Sequence, residues 1–292
     1  MNTLKVALAN KYDIESEVLP FENCLASRKL DGVRCLVFIN EGEVKFYSRN
    51  GKEFTTLDNL IPPILYHFHF KDKPVILDGE ITLDRTDEDD FIGIVSLIKR
   101  KNYTIDCPCF HIFDMITLDE YNGKKERTFE ERYNYLKKIE MDSVFNSKPS
   151  LKIIEQVKIV DARHIRKIFK MSKQNNWEGI MLRNGSSPYE GKRTKNLLKI
   201  KSMKSKEFKC IDVLPGEGRL LGTLGSILVQ IDKDNVIQVG SGFTDDQRSY
   251  FWKNPKNIIG KKVTVQYFQK SQNMKGKKSL RFPVFVSVRN YE

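Results

Sequence analysis

The junction that most constrains this chain is Lys29-Leu30-Asp31-Gly32-Val33-Arg34, which leads straight into the apolar run Val33–Ile39. Asp-Gly gives a tight turn, aims the side chains around it and leaves the backbone open to close approach. Alone, such a string also fits an ordinary solvated turn ahead of a strand. It does not stand alone, because several apolar runs downstream also begin or end on charge. Val33–Ile39 and Glu43–Ser48 read as two strands, with Asn40-Glu41-Gly42 as the hairpin turn between them.

Further along, Ser48-Arg49-Asn50-Gly51 forms a loop closed by Phe54. Arg49 there could grip a phosphate with two donors or be a solvated turn residue. Residues 57–70 read as helix, with Pro62 and Pro63 breaking the pattern early. The strand Val75–Ile81 carries Asp78 and Glu80. A carboxylate buried in an apolar strand is costly without a partner, and a ribose hydroxyl or a metal would serve. The acidic run Asp84–Asp90 reads as a solvated loop, and Phe91, Ile94, Val95 and Ile98 as one face of a short helix.

Cys109–Met115 is a strand that ends on an acid; Phe113 is a core residue by default or a stacking platform for a base, and His111 is structural. Thr128-Phe129-Glu130-Glu131 is a capping box opening a helix whose apolar face is Phe129, Tyr133, Leu136 and Ile139. Leu151–Val160 reads as one strand, and Asp161 caps the helix carrying Ile165, Ile168 and Phe169. Trp177–Arg183 is a strand opening on Glu178 and Gly179. Leu197–Lys201 sets Lys199 and Lys201 on one face, which is unfavourable unless an anion lies between them. A nucleotide phosphate fits.

Ser202–Lys206 reads as a basic linker. After it come short strand-like runs with glycine turns, Phe208–Leu214, Ser226–Ile231, Val236–Gly240, Lys262–Phe268 and Val284–Arg289, with a helix-like insert at Asp245–Trp252. That texture is expected of a small barrel. A length of 292 residues suffices for two domains, and the net charge of +12 points to a polyanionic partner. No apolar run approaches the ~20 residues of a membrane span, and no secretory signal is expected at Met1–Tyr12. The 5 cysteines have no metal-ligand spacing and read as reduced thiols of an intracellular compartment: a bacterial or virus-infected cytoplasm, or a nucleus.

The chemistry open to Lys29 is nucleophilic. An unprotonated lysine amine can attack phosphorus and hold a nucleotide as a phosphoramide, and partial burial and nearby cations lower its pKa towards that state. In its order of strings the chain resembles the ATP-dependent DNA ligases, from about Leu25 to Arg289, and most of all the minimal two-domain ones of viruses and phages. The strings are Lys29-x-Asp31-Gly32-x-Arg34, Ser48-Arg49-x-Gly51, Asp78-Gly79-Glu80, Phe113-Asp114, Glu178-Gly179, Lys199-x-Lys201 and the final Arg281–Arg289 stretch.

The resemblance implies an α+β fold. A nucleotidyltransferase (adenylation) domain of antiparallel sheets with flanking helices would span residues 1–202, and a small all-β OB-fold barrel residues 203–292. It implies ATP and Mg²⁺ or Mn²⁺ as cofactors, nicked duplex DNA as partner, no membrane, and a monomer. Lys29 would take AMP, Glu80 hold the ribose, Phe113 stack on adenine, and Lys199 and Lys201 meet the α-phosphate. Glu178, with Glu80, would hold the metal. Arg34 and Arg49 would engage the nucleotide and the 5′-phosphate of the nick, and Asp31 would lie near its 3′-hydroxyl. Arg281 and Arg289 would orient the leaving pyrophosphate.

The chain departs from the family in two places. Ser27 stands where many relatives have a glutamate that reads the adenine amine, and Pro215–Leu221 is short where viral relatives carry a long basic hairpin. No separate DNA-binding domain is expected ahead of residue 1. DNA would then be held through Arg49 and basic surfaces near Lys204, Lys206 and Lys275–Lys278. Rival expectations are an mRNA-capping guanylyltransferase, an RNA ligase, and a non-enzymatic OB protein binding single strands.

Overall fold

The computed structural model describes residues 4–68, 73–83, 90–124, 127–141, 150–272 and 278–289. They form two compact units, Met1–Ile200 and Lys201–Glu292.

The strands of the first unit are β1 (Leu8–Lys11), β2 (Cys24–Lys29), β3 (Val33–Asn40), β4 (Glu43–Ser48), β5 (Glu53–Phe54), β6 (Val75–Leu83), β7 (Pro108–Thr117), β8 (Leu151–Ile153), β9 (Val157–Lys158), β10 (Gly179–Asn184) and β11 (Arg193–Lys201). Its helices are α1 (Ile61–Phe68), α2 (Phe91–Ile98), α3 (Leu118–Tyr121), α4 (Phe129–Glu140) and α5 (Ala162–Gln174). One sheet has the order β1-β11-β10-β2-β9 and the other β5-β4-β3-β6-β7-β8. Pairing is antiparallel except for β1 on β11 and β7 on β8.

Local signals set these elements. Glu41 and Gly42 take φ of 49° and 84°, the left-handed pair that a two-residue hairpin needs. Thr128 and Glu131 cap each other at the start of α4, and the Asp161 side chain accepts from the His164 N–H at the start of α5. Asp90, expected in a solvated loop, accepts from the Gly93 N–H at 2.8 Å and so caps α2; the rest of that acidic run lies outside the described residues.

Three expectations change. Pro62 and Pro63 do not break a helix but sit in the first turn of α1, where the missing N–H costs nothing. Leu151–Val160 is two strands rather than one, and they join different sheets. Ile153 packs in the core with Ile112 and Val157 in the core with Ile180, so the chain must cross between layers at Ile154–Gln156. Lys204–Lys206 is strand rather than linker. Its side chains are exposed and polar, but its backbone pairs with Val265–Tyr267.

In the second unit, β12 (Lys204–Pro215), β13 (Leu224–Gln230), β14 (Val236–Val239), β15 (Lys262–Tyr267) and β18 (Val284–Val288) form a sheet of order β14-β13-β12-β15-β18. A parallel bridge between Ser241 and Val284 ties its two ends. The small pair β16 (Lys270–Gln272) and β17 (Lys278–Leu280) and helix α6 (Asp245–Lys253) complete it. The core includes Phe208, Val229, Val263, Val265 and Phe285. Buried Arg248 of α6 donates to the carbonyls of Leu224, Gly225 and Gly240, satisfying acceptors that lack ladder partners. Lys275–Lys277 of the expected basic surface lie outside the described residues.

Candidate active site

The pleats of β2 and β10 sort their side chains to two faces. Cys24, Ala26, Ile180 and Leu182 pack on Ile165, Ile168 and Phe169 of α5. Ser27, Lys29, Met181 and Arg183 occupy the alternate positions, and all four line a cavity of about 210 Å³. The other sheet supplies the facing wall. In β6, Leu77 and Ile81 go to the core, which leaves Asp78 and Glu80 on the cavity side. Arg34, Arg49, Glu80, Phe113 and Lys199 join the lining.

Lys29 pairs in register with Gly179, which places the preceding residue, Glu178, beside it; the ammonium is ion-paired to the Glu178 carboxylate. Glu178 is buried, as is Asp31. Gly32 holds the turn against β6. A Cβ there would lie 2.4 Å from the Ile81 carbonyl oxygen and 2.9 Å from Glu80 Cγ, so only glycine lets this string lie beside Glu80.

Arg34 donates through Nε and Nη2 to both oxygens of Asp78, each at 2.5 Å. Its guanidinium carbon lies 4.4 Å from the centroid of the Phe113 ring. Tyr189 adds an O–H donor to Asp78 at 3.3 Å. Burial pushes the Glu80 carboxyl up to about 7, opposed by Arg34 and Lys29 and reinforced by Glu178 and Asp78.

Phe113 reaches the cavity through a break in register. Asp78 faces Asp114 and Gly79 faces Ile112, so Phe113 is an extra residue in β7 with no partner on β6. Such a bulge re-aims side chains. Before it Phe110 and Ile112 enter one core; after it Met115 does so, and Ile116 enters the other. Phe113 is thereby freed from the core, and its neighbour Asp114 binds Arg132 and Arg183. Arg132 donates to Asp114 from Nε at 2.7 Å and Nη2 at 3.0 Å, and Arg183 from Nη1 at 2.8 Å. Burial alone would raise the Asp114 carboxyl, but these two arginines hold it below its ordinary value.

The sequence reading passed over Arg132 and Arg183. Arg132 had left a signal: it falls on the same stripe of α4 as Phe129 and Leu136, where a solvated arginine would not sit. Arg183 left none beyond following the strand Ile180–Leu182.

The remaining candidates belong to the second unit. The Lys201 ammonium lies 3.8 Å from the centroid of Phe282. Arg281 is buried, 5.4 Å from the Phe268 centroid and 5.3 Å from that of Phe282. Arg289 Nε donates to Glu207 at 2.8 Å.

Two family models match, an ATP dependent DNA ligase domain over residues 7–201 and a DNA ligase OB-like domain over residues 215–289. The chain belongs to the ATP-dependent DNA ligases. A DNA ligase of Methanothrix thermoacetophila is 30% identical over 90% of this chain and 51% of its own length. One from Haemophilus influenzae is 26% identical over 85% of this chain and 81% of its own. The chain spans about half the length of the first curated relatives it matches. A solved structure titled "Pmar-Lig_Pre." superposes with a TM-score of 0.84 at 27% identity, covering 98% of this chain and 68% of that one. A Lig E DNA ligase structure, at 21% identity and a TM-score of 0.70 over 97% of this chain and 98% of that one, shares the fold.

The family implies use of ATP and, in general, of a divalent metal. Among the described residues no cluster of three or more His, Cys, Asp or Glu side chains forms a metal site. The acids at the cavity nevertheless fit such an ion: Glu80 and Glu178 raise one another's cost of ionisation, which a divalent cation would relieve. A magnesium ion bound to nucleotide takes only one or two carboxylates, with phosphate and water as its other ligands.

Proposed function

We propose that this protein seals nicks in duplex DNA with ATP, through a lysyl-AMP on Lys29. Residues 1–202 would be the adenylation domain and 203–292 the OB domain. The observation that carries the proposal is the Lys29 amine on a cavity wall, held by Glu178, with Glu80, Phe113, Arg49 and Lys199 on the same cavity.

Each group has work suited to its place. Phe113 offers a ring face to adenine, and Glu80 an acceptor to the ribose. Lys199 neutralises the α-phosphate, while Glu178 orients the amine until nucleotide arrives. The Lys29 nitrogen, once deprotonated, bonds to the α-phosphorus as the bond to the β-phosphate oxygen breaks and pyrophosphate leaves. AMP then passes to the 5′-phosphate of a nick, freeing the amine, and the 3′-hydroxyl displaces it. All three are in-line displacements, in which positioning and charge neutralisation do most of the catalysis. Glu178 and Glu80 would hold the divalent cation, which offsets phosphate charge when bound.

Asp31 would lie near the 3′-hydroxyl, and Arg49 would meet the 5′-phosphate. Arg34, committed at two points to Asp78, acts on the nucleotide by backing Phe113. Lys201 would join Lys199, and Arg281 and Arg289 would act on the pyrophosphate. The test is incubation with α-labelled ATP and Mg²⁺, then with a nicked duplex. Labelled protein and a sealed strand are expected. Label from GTP but not ATP would make the protein a guanylyltransferase, and no label on protein would end the proposal.

A further inference from the structure

Arg183 has no place in the scheme above, yet it lines the cavity. The register fixes where. Lys29 lies opposite Gly179, Ser27 opposite Met181 and Leu25 opposite Arg183. The cavity wall therefore runs from Lys29, past Ser27 and Met181, to Arg183, about 13 Å further along the strands. A nucleotide with its α-phosphorus at Lys29 would extend its base along that wall. Arg183 is also within reach of whatever stacks on Phe113, with its guanidinium carbon 5.8 Å from that ring centroid.

Its geometry is fixed from behind. Nη1 donates to Asp114, itself held by Arg132, and the guanidinium carbon lies 4.3 Å from the centroid of Phe129. A guanidinium has five N–H donors, and the bond to Asp114 is the one hydrogen bond Arg183 makes among the described residues. The side chain keeps 12% of its surface open. Burial makes the charged form costly, and Arg132 and Arg34 add repulsion, so an acceptor placed at the free donors gains more than it would in water.

We propose that Arg183 is a specificity-determining residue for the base, donating from its free N–H groups to a ring nitrogen, N1 or N7, of the purine stacked on Phe113. A donor-only group cannot accept from the adenine amine, so Arg183 reads the ring acceptor and leaves the amine to Ser27 or the backbone. The proposal rests on the reading of Lys29 as the adenylated residue.

The test crosses nucleotide analogues with variants and reads kcat/KM for labelling of the protein. In the wild type, either 1-deaza-ATP or 7-deaza-ATP should be used at least roughly tenfold less well than ATP, as expected for losing a hydrogen bond to a charged donor. In Arg183→Met that penalty should shrink to within about twofold, while ATP itself is used less well. Arg183→Lys, which keeps a charge if Arg183→Met fails to fold, should retain part of the penalty. An undiminished penalty in the variants would make Arg183 a structural support of Phe113 and overturn the proposal. So would a wild type indifferent to both analogues. A wild type unlabelled by ATP would instead overturn the functional reading beneath it.

Discussion

Across β2 and β10 the Lys29 ammonium is bound to the Glu178 carboxylate, one exposed over 21% of its side chain and the other over 4%. The nucleophile is held in place, and its carboxylate partner is the more deeply buried of the two. Lys29→Ala is expected to take no label from ATP, yet still to seal a nick already carrying AMP, since that step does not use the amine. Gel separation of labelled protein and of sealed strand measures the two activities. Normal labelling of the variant would remove Lys29 from the chemistry.

Glu80 predicts an unusual dependence of stability on pH. Its folded value, about 7, is above the ordinary carboxylate value of 4.5. The native state therefore binds the proton more tightly than the unfolded chain. Stability from this group is fully present below about pH 4.5 and declines as pH rises to about 7. At 1.36 kcal/mol per unit the full difference is on the order of 3 kcal/mol. Nucleotide-free Glu80→Gln should gain thermal stability over the wild type at pH 8, and the gain should vanish near pH 5. Melting curves at the two pH values check this; an equal difference at both would show that Glu80 ionises normally.

The turns and caps of the fold could be read from neighbouring residues, because their causes are local. Asn40-Glu41-Gly42, Thr128–Glu131 and Asp161 each carry their own hydrogen-bonding instruction. The charged strings around the cavity were legible as a set for a related reason: a buried acid such as Glu80 has to be accounted for. What escaped depends on distant partners. The bulge at Phe113 exists only relative to β6, and the break within Leu151–Val160 only because two cores lie on either side of it. Arg183 acquires meaning only through Asp114, 69 residues away.

The Asp114–Arg132 pair should matter for folding more than its small size suggests. Both side chains are almost fully buried, at 0% and 1% exposure. Removing one partner strands a buried charge, which typically costs about 3–5 kcal/mol. Arg132→Met is expected to fall in that range by urea unfolding, and Arg132→Met with Asp114→Asn to recover part of the loss. A single variant within about 0.5 kcal/mol of wild type would mean Arg183 alone satisfies Asp114.

Charge should govern the hold on DNA. Pro215–Leu221 is a short turn containing one basic residue, Arg219, which faces Asp245 at 3.3 Å. With a net charge of +12 spread over the surface, binding should depend on counterion release. Affinity for a nicked duplex is expected to fall about a thousandfold between about 50 and 200 mM salt. A basic hairpin grafted between Gly218 and Leu221 should raise affinity and leave the rate of Lys29 labelling unchanged. Fluorescence anisotropy against salt measures the slope, and a flat response would point to a grip that is not electrostatic.

The unpaired position in β7 separates two demands that usually compete within a strand. Ile112 and Met115 keep their places in the core on either side of it, whatever stands between them. Residue 113 answers to no neighbour across the ladder, so its side chain can change without asking the interior to rearrange. Substitution with tyrosine, tryptophan or leucine should retune the fit to different bases at little expense in folding. Deleting the residue would swing Asp114 into the oily side of the sheet, a far graver injury. The protein can thus vary its preference for nucleotide at this position by exchange, but not by shortening the chain.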